Sequence, residues 1–207
     1  MTMNNYFFVD GSALLGDIQR ARVALGISTN ARLDLLAFVR HFTGDKYGAF
    51  HQGGYRRFVF YFVKEDRRLG TSVILPNTAI PGVINDVRIQ YCGKHISETA
   101  KAHRWLEDNR APGYVQDCAH RSEKAVDTKI CCDALQLAGI GKLDRLFLYT
   151  NDYDFAPLFH ALRTMGANVN LFRLRPDKLN KELAAECDAL HVMSDEDLRA
   201  SFKEPSH

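Results

Sequence analysis

Short, wholly apolar runs alternate with amphipathic stretches along most of this chain, and the alternation predicts its elements. Tyr6-Phe7-Phe8-Val9 reads as a buried strand over 5–10 that ends on Asp10, and Ala13-Leu14-Leu15 opens a helical pattern over about 13–24. A second helix is expected over about 31–43. The Gly-rich connector GAFHQGGYRR then leads into RRFVFYFVK, a strand over 57–63. A loop rich in turn residues, LPNTAIPG, precedes a strand at 87–93 in VRIQYCG. SETAKAHRWLEDNRAPG reads as a polar helix stopped by Pro112-Gly113, and it marks a candidate insertion over about 94–121. Helix 123–138 follows, with Ile130, Ala134, Leu135 and Ala138 at helical spacing. Strand 145–149, helix 154–165, strand 168–173, helix 178–186 and strand 189–192 complete the series. Strands that alternate with helices and are apolar on both faces predict an α/β fold with a central, mainly parallel sheet covered on both sides. The domain is expected to span residues 1–200, with 201–207 as a frayed tail.

Composition narrows this reading. A chain of 207 residues, 46% hydrophobic and 25% charged, buries one good core and is short for two domains. A net charge of +2 neither demands nor excludes a nucleic-acid partner. The distribution says more, because Arg56-Arg57, Lys64, Arg67-Arg68, Lys94, Lys101, Arg104, Arg110, Arg121 and Lys124 make the middle segment basic. Five cysteines without metal-ligand or paired spacing fit reduced thiols, so neither disulfides nor zinc are expected. Nowhere do 18 apolar residues run together, and the start lacks a basic stretch followed by a long apolar one. These features predict a soluble, cytoplasmic protein with no membrane partner. A homo-oligomer or a protein partner is left open.

The candidate chemistry lies at strand ends. In LFLYTNDYDFAPLF, Asp152 and Asp154 come straight after a buried strand, and Asp10 repeats the arrangement near the N-terminus. In open parallel sheets, ligands gather outside the carboxyl ends of the strands. Asp127, in SEKAVDTKICCDALQLAG, opens an amphipathic segment and supplies a fourth acid. Any one Asp in such a place also serves as a turn residue or a helix N-cap. Capping, however, gives no reason for several acids to converge, whereas a hard cation does.

These blocks carry a family resemblance. Asp10 after the first strand, KAVDTKICCDAL over 124–135 and TNDYDFAPL over 150–158 resemble, in order and spacing, the three signature blocks of the NYN domain, a branch of the PIN-like nuclease superfamily. GANVNLFRL and LNKELAAECDALHVM resemble the family's ending, so the likeness runs from about residue 5 to about residue 193. It implies a single PIN-like domain and a metal-dependent nuclease, most simply an endoribonuclease acting on single-stranded or looped RNA, with DNA as the other candidate substrate. Asp10, Asp127, Asp152 and Asp154 would be both the catalytic residues and the ligands of Mg²⁺ or Mn²⁺. Ser12, Lys124 and Asn151 would contact substrate at the mouth. Asp133 also matches a family position, but six residues beyond Asp127 it falls about 120° around the helix, which suits a structural role.

Two positions depart from the family pattern. Ala13 stands where an Asn is common, with Ser12 the neighbouring polar side chain, and Asn151 stands where a Gly precedes the final acid pair. Ala13 supports an alternative, a catalytically silent PIN-like module that binds nucleic acid or protein. The intact KAVD and TNDYDF blocks oppose it, since clustered carboxylates repel and a silent site has no need of them. A small-molecule phosphohydrolase is disfavoured by the lack of a Gly-rich phosphate loop.

Overall fold

The structure is a computed structural model that describes residues 3–43, 56–63, 66–75, 86–95, 108–110, 123–176 and 179–204. Six parallel strands form its central sheet: β1 (Asn5–Asp10), β3 (Arg56–Phe62), β5 (Asp86–Tyr91), β8 (Arg145–Tyr149), β9 (Asn168–Arg173) and β10 (Ala189–Val192), in the order β10-β9-β8-β1-β3-β5. From β1 the chain lays strands outward in one direction, then returns to β1's other side and builds outward again. β1 and β8 therefore flank the topological switch point, where connections leave for opposite faces and a crevice opens.

The two faces have separate cores because side chains alternate along each strand. Phe7 and Val9 face helices α1 (Gly11–Leu25) and α2 (Leu35–Thr43), while Tyr6 and Phe8 face α4 (Val126–Gly139) and α5 (Ala156–Thr164). Phe7 stacks between its register partners Phe58 (4.7 Å) and Phe147 (4.5 Å), tying three central strands together with aromatic contacts. With every β1 residue buried, the uninterrupted apolar run of the sequence is explained.

Four departures from the sequence reading go beyond a shift of an element's end. The helix expected over 31–43 is split, because residues Arg32–Asp34 form β2, which pairs in parallel with β4 (Val73–Ile74), beyond the short helix α3 (Arg67–Ser72). Asp34 then caps α2, accepting from Leu36 N (2.9 Å) and Ala37 N (3.4 Å). The helix expected from 123 starts at 126, because β7 (Glu123–Lys124) pairs antiparallel with β6 (Lys94–His95). Residues 153–155 form a 3₁₀ turn before α5 rather than its first turn. The expected frayed tail also needs correction: after α7 (Asp195–Ala200), Ser201 is buried, Phe202–Lys203 form β11 against β2, and Lys203 pairs with Asp34. Burial of Ser201 and the ladder to β2 hold this end in place, and residues 205–207 lie outside the described set.

The short helix α6 (Lys181–Ala185) precedes β10. Most of the connector, the LPNTAIPG loop and nearly all of the candidate insertion, Trp105 included, lie outside the described residues. The β6–β7 ribbon does bring 94–95 beside 123–124, so the excursion leaves and re-enters at one place. Among the described residues no helix is long and apolar enough to cross a membrane.

Candidate active site

Asp10 ends β1 at the switch point and is 4% exposed. Its Oδ1 accepts from Ser12 N (3.0 Å), Ser12 Oγ (3.0 Å) and Ala13 N (3.2 Å), so it caps α1, and Oδ2 accepts from Thr150 Oγ1 (3.2 Å). Capping and a place in the acidic crevice thus coexist in one side chain. Burial pushes its pKa up, against the opposing pull of these four donors. Gly11 makes the sharp entry into the helix possible. A Cβ there would stand 2.3 Å from the Tyr61 carbonyl oxygen and from the Phe62 ring, so no larger residue fits between β1's end and β3.

Thr150 joins the two acid-bearing strands. Its hydroxyl donates to Asp10 and accepts from Asp152 N (3.2 Å), while Asp152 Oδ1 accepts from Asp154 N (3.0 Å) and caps the 3₁₀ turn. Asn151 Oδ1 accepts from Asn180 N (2.7 Å), and Asn180 in turn caps α6. Asn151, expected to meet substrate, is therefore also a clasp between the β8 loop and α6. A cleft of about 440 Å³ opens here, lined by Asp10, Ser12, Ala13, Gly16 and Arg20 on one limb and by Asn151, Asp152, Tyr153 and Asn180 on the other.

Asp127, in the first turn of α4, lies within electrostatic reach of this cleft. Ala125, at φ 83°, turns the chain so that Val126 enters the core and Asp127 stays outside. Partial desolvation and then the charges on Asp10, Asp152 and Asp154 push its pKa up to about 6. All four predicted acids therefore share one electrostatic environment. Asp127 and Asp154 nonetheless stand outside the cleft's lining. Lys124 pairs through its backbone with Lys94, and its side chain lies outside the described residues.

Among the described residues no three carboxylate, imidazole or thiol groups stand close enough to ligate one ion. An all-oxygen set that is spread and partly open to water suits Mg²⁺ or Mn²⁺ held through one or two carboxylates with waters retained, and it does not suit a closed cage.

Several residues with a part here were absent from the sequence reading. Thr150 lay inside the TNDYDF block, yet its bridging role depends on β1 and β8 being neighbours. Beneath it, the fully buried Arg173 donates to the Thr150 carbonyl (2.8 Å) and pairs with Asp17 (2.7 Å), which also accepts from Tyr149 Oη (2.6 Å). A buried Arg in an apolar strand demands a carboxylate partner, and that demand was the available signal. Arg20, at the cleft's rim, also pairs with Asp17. Asp133 accepts from Tyr61 Oη (3.0 Å) and pairs with Lys129, in line with the structural role expected for it.

The NYN domain family model matches residues 54–194, a span that includes the KAVD and TNDYDF blocks and begins after Asp10. No curated protein matches the chain. Among solved structures, the crystal structure of a protein of unknown function from Vibrio parahaemolyticus is similar, at 13% identity and a TM-score of 0.46, with 94% of this chain and 95% of that one covered.

Proposed function

The chain belongs to the NYN domain family, a nuclease-like branch of the PIN-like superfamily, and from that premise we propose that it is a metal-dependent endoribonuclease acting on single-stranded or looped RNA. One observation carries the proposal: Asp127 is pushed up to about 6 by partial desolvation and then by the charges of Asp10, Asp152 and Asp154, so that acids from three separate parts of the chain act on one another. Like charges held together raise the free energy of the fold. A divalent cation would offset that cost.

When bound, Mg²⁺ or Mn²⁺ supplies a polarised water and neutralises charge on the phosphodiester. Asp10 and Asp152, which both line the cleft, are the proposed direct ligands, and Asp127 and Asp154 would act on the ion through retained waters. Asp10 Oδ2 keeps acceptor capacity beyond Thr150, while Asp127 and Asp154, both exposed, complete the field from the rim. The Ser12 hydroxyl, bonded to Asp10 Oδ1, orients that carboxylate and lines the cleft where a phosphate would sit. Arg20 stands on the same lining and offers positive charge to a scissile phosphate. Lys124 is the proposed second cation and Asn151 a hydrogen-bonding group at the mouth. Unstacked single strands reach such a crevice more readily than a stiff duplex. Unpaired cysteine spacing supports a reducing, cytoplasmic setting.

The second reading, a silent binding module, draws on Ala13, which lines the cleft without a polar side chain. Cleavage of labelled, partly single-stranded RNA and matching DNA in Mn²⁺, Mg²⁺ or EDTA separates the two. The nuclease reading expects metal-dependent cleavage of RNA that Asp152→Asn abolishes. Binding without cleavage by the parent chain sinks it in favour of the silent module.

A further inference from the structure

Helix α4 closes a second cavity, of about 340 Å³, against the face of β1, β3 and β5 that it shares with the acids. The registers Arg57↔Asp86, Val59↔Arg88 and Tyr61↔Gln90 put the polar positions of β5 on that face and its apolar Val87 and Ile89 on the other. A sheet face covered only by a helix would be apolar at those positions. Here it presents charge and amides above the buried Tyr6 and Phe8, with the Arg57 guanidinium 6.0 Å over the Tyr6 ring.

The charge is organised. Arg57, Arg88 and Lys129 line the cavity against a single acid, Asp133, which Lys129 and Tyr61 already occupy. Asp86 Oδ2 accepts from Arg88 Nε (2.6 Å) and forms an ion pair with Arg57, whose Nε lies 3.0 Å away. Held this way, Arg88 has two terminal NH₂ groups without a partner among the described residues, a preset fork of the kind that recognises phosphate. Gln90 and Gln136, also on the lining, offer the paired donor and acceptor that read a base edge. The volume falls within the range of small-molecule sites.

The geometry points to a nucleotide-binding site, with the phosphate at Arg88, Arg57 and Lys129 and the base edge at Gln90 and Gln136. Two sources share that chemistry: a free nucleotide, or one nucleotide of an RNA strand whose neighbouring phosphodiester lies at the acids. The strand source rests on the nuclease reading, and the site itself does not. Asp127 and Lys129 lie two residues apart on α4, and the helix runs about 20 Å from Asp127 to Ile140 at the cavity's far end.

Calorimetric titration of the full chain with AMP and with inorganic phosphate in EDTA, beside anisotropy of a fluorescent single-stranded RNA, tests this without reading cleavage. Saturable AMP binding is expected, weakened at least tenfold by Arg88→Ala and unchanged by Asp152→Asn, with phosphate binding more weakly. The Arg88 side chain is 58% exposed, so its loss spares the fold; Lys129→Ala provides a second, independent weakening. RNA binding weakened by Arg88→Ala and competed by AMP identifies the strand as the source, and RNA binding indifferent to both identifies a free nucleotide. Absence of saturable AMP binding, or AMP binding indifferent to both substitutions, overturns the site.

Discussion

Removing the Thr150 hydroxyl should loosen the junction between the two acid-bearing strands. Thr150 is fully buried, and Thr150→Val keeps its shape, so the loss reports the hydroxyl rather than a cavity. Two hydrogen bonds disappear. The one to the Asp10 carboxylate (3.2 Å) is a bond to an ionisable group, worth about 1.5–3 kcal/mol, and the one from Asp152 N (3.2 Å) adds about 1 kcal/mol. Both are long, so the lower half of the range applies and the expected loss is about 2–3 kcal/mol. Thr150→Ser keeps the oxygen and gives up one methyl, about 1 kcal/mol. Urea denaturation in EDTA measures both. Thr150 is also one of the four donors that pull the Asp10 pKa down against burial, so the valine variant should shift the acid limb of metal-dependent cleavage to higher pH while serine leaves it in place. Equal destabilisation by valine and serine, or a valine variant within about 0.5 kcal/mol of the parent, would refute the bridging role.

Asp127→Asn should raise the melting temperature of the metal-free chain at pH 7.5 and leave it unchanged near pH 4. The folded chain holds the Asp127 proton up to about 6, against 3.8 ordinarily, so parent stability falls as pH rises through that window and the penalty is complete above it; a flat difference between the two proteins across pH 4–7.5 sinks the argument. Gly11→Ala should cost about 3 kcal/mol or more, because the new Cβ meets a backbone carbonyl that no side-chain rotation relieves; a melt near the parent's would mean that β1 and β3 can part there. Ala125→Gly should stabilise the chain by about 1 kcal/mol by relieving a left-handed alanine, and a lower melting temperature would show that the turn is not strained.

Much of this arrangement is legible in the residues. β1, β3 and β8 were readable because strands buried on both faces leave uninterrupted apolar runs, and Asp10, Asp127, Asp152 and Asp154 were readable because they punctuate strand ends and a helix start. β2 and β11 were not. Strands of three and two residues have no periodicity to read, and they exist only because Leu33 meets Phe202 and Val73. The buried trio of Asp17, Tyr149 and Arg173 was hidden for the same reason, since its members lie on α1, β8 and β9.

From its own periodicity and punctuation, then, the chain determines an alternating α/β order with acids at the strand ends. Local backbone preference and side-chain alternation act over a few residues, so they appear in any window of the sequence. Only the tertiary structure decides that β1 and β8 become neighbours, that Thr150 bridges Asp10 to Asp152 across 140 positions, and that the charges of Asp10, Asp152 and Asp154 act on Asp127. Electrostatic coupling and hydrogen bonding depend on distance in space, and sheet order sets that distance.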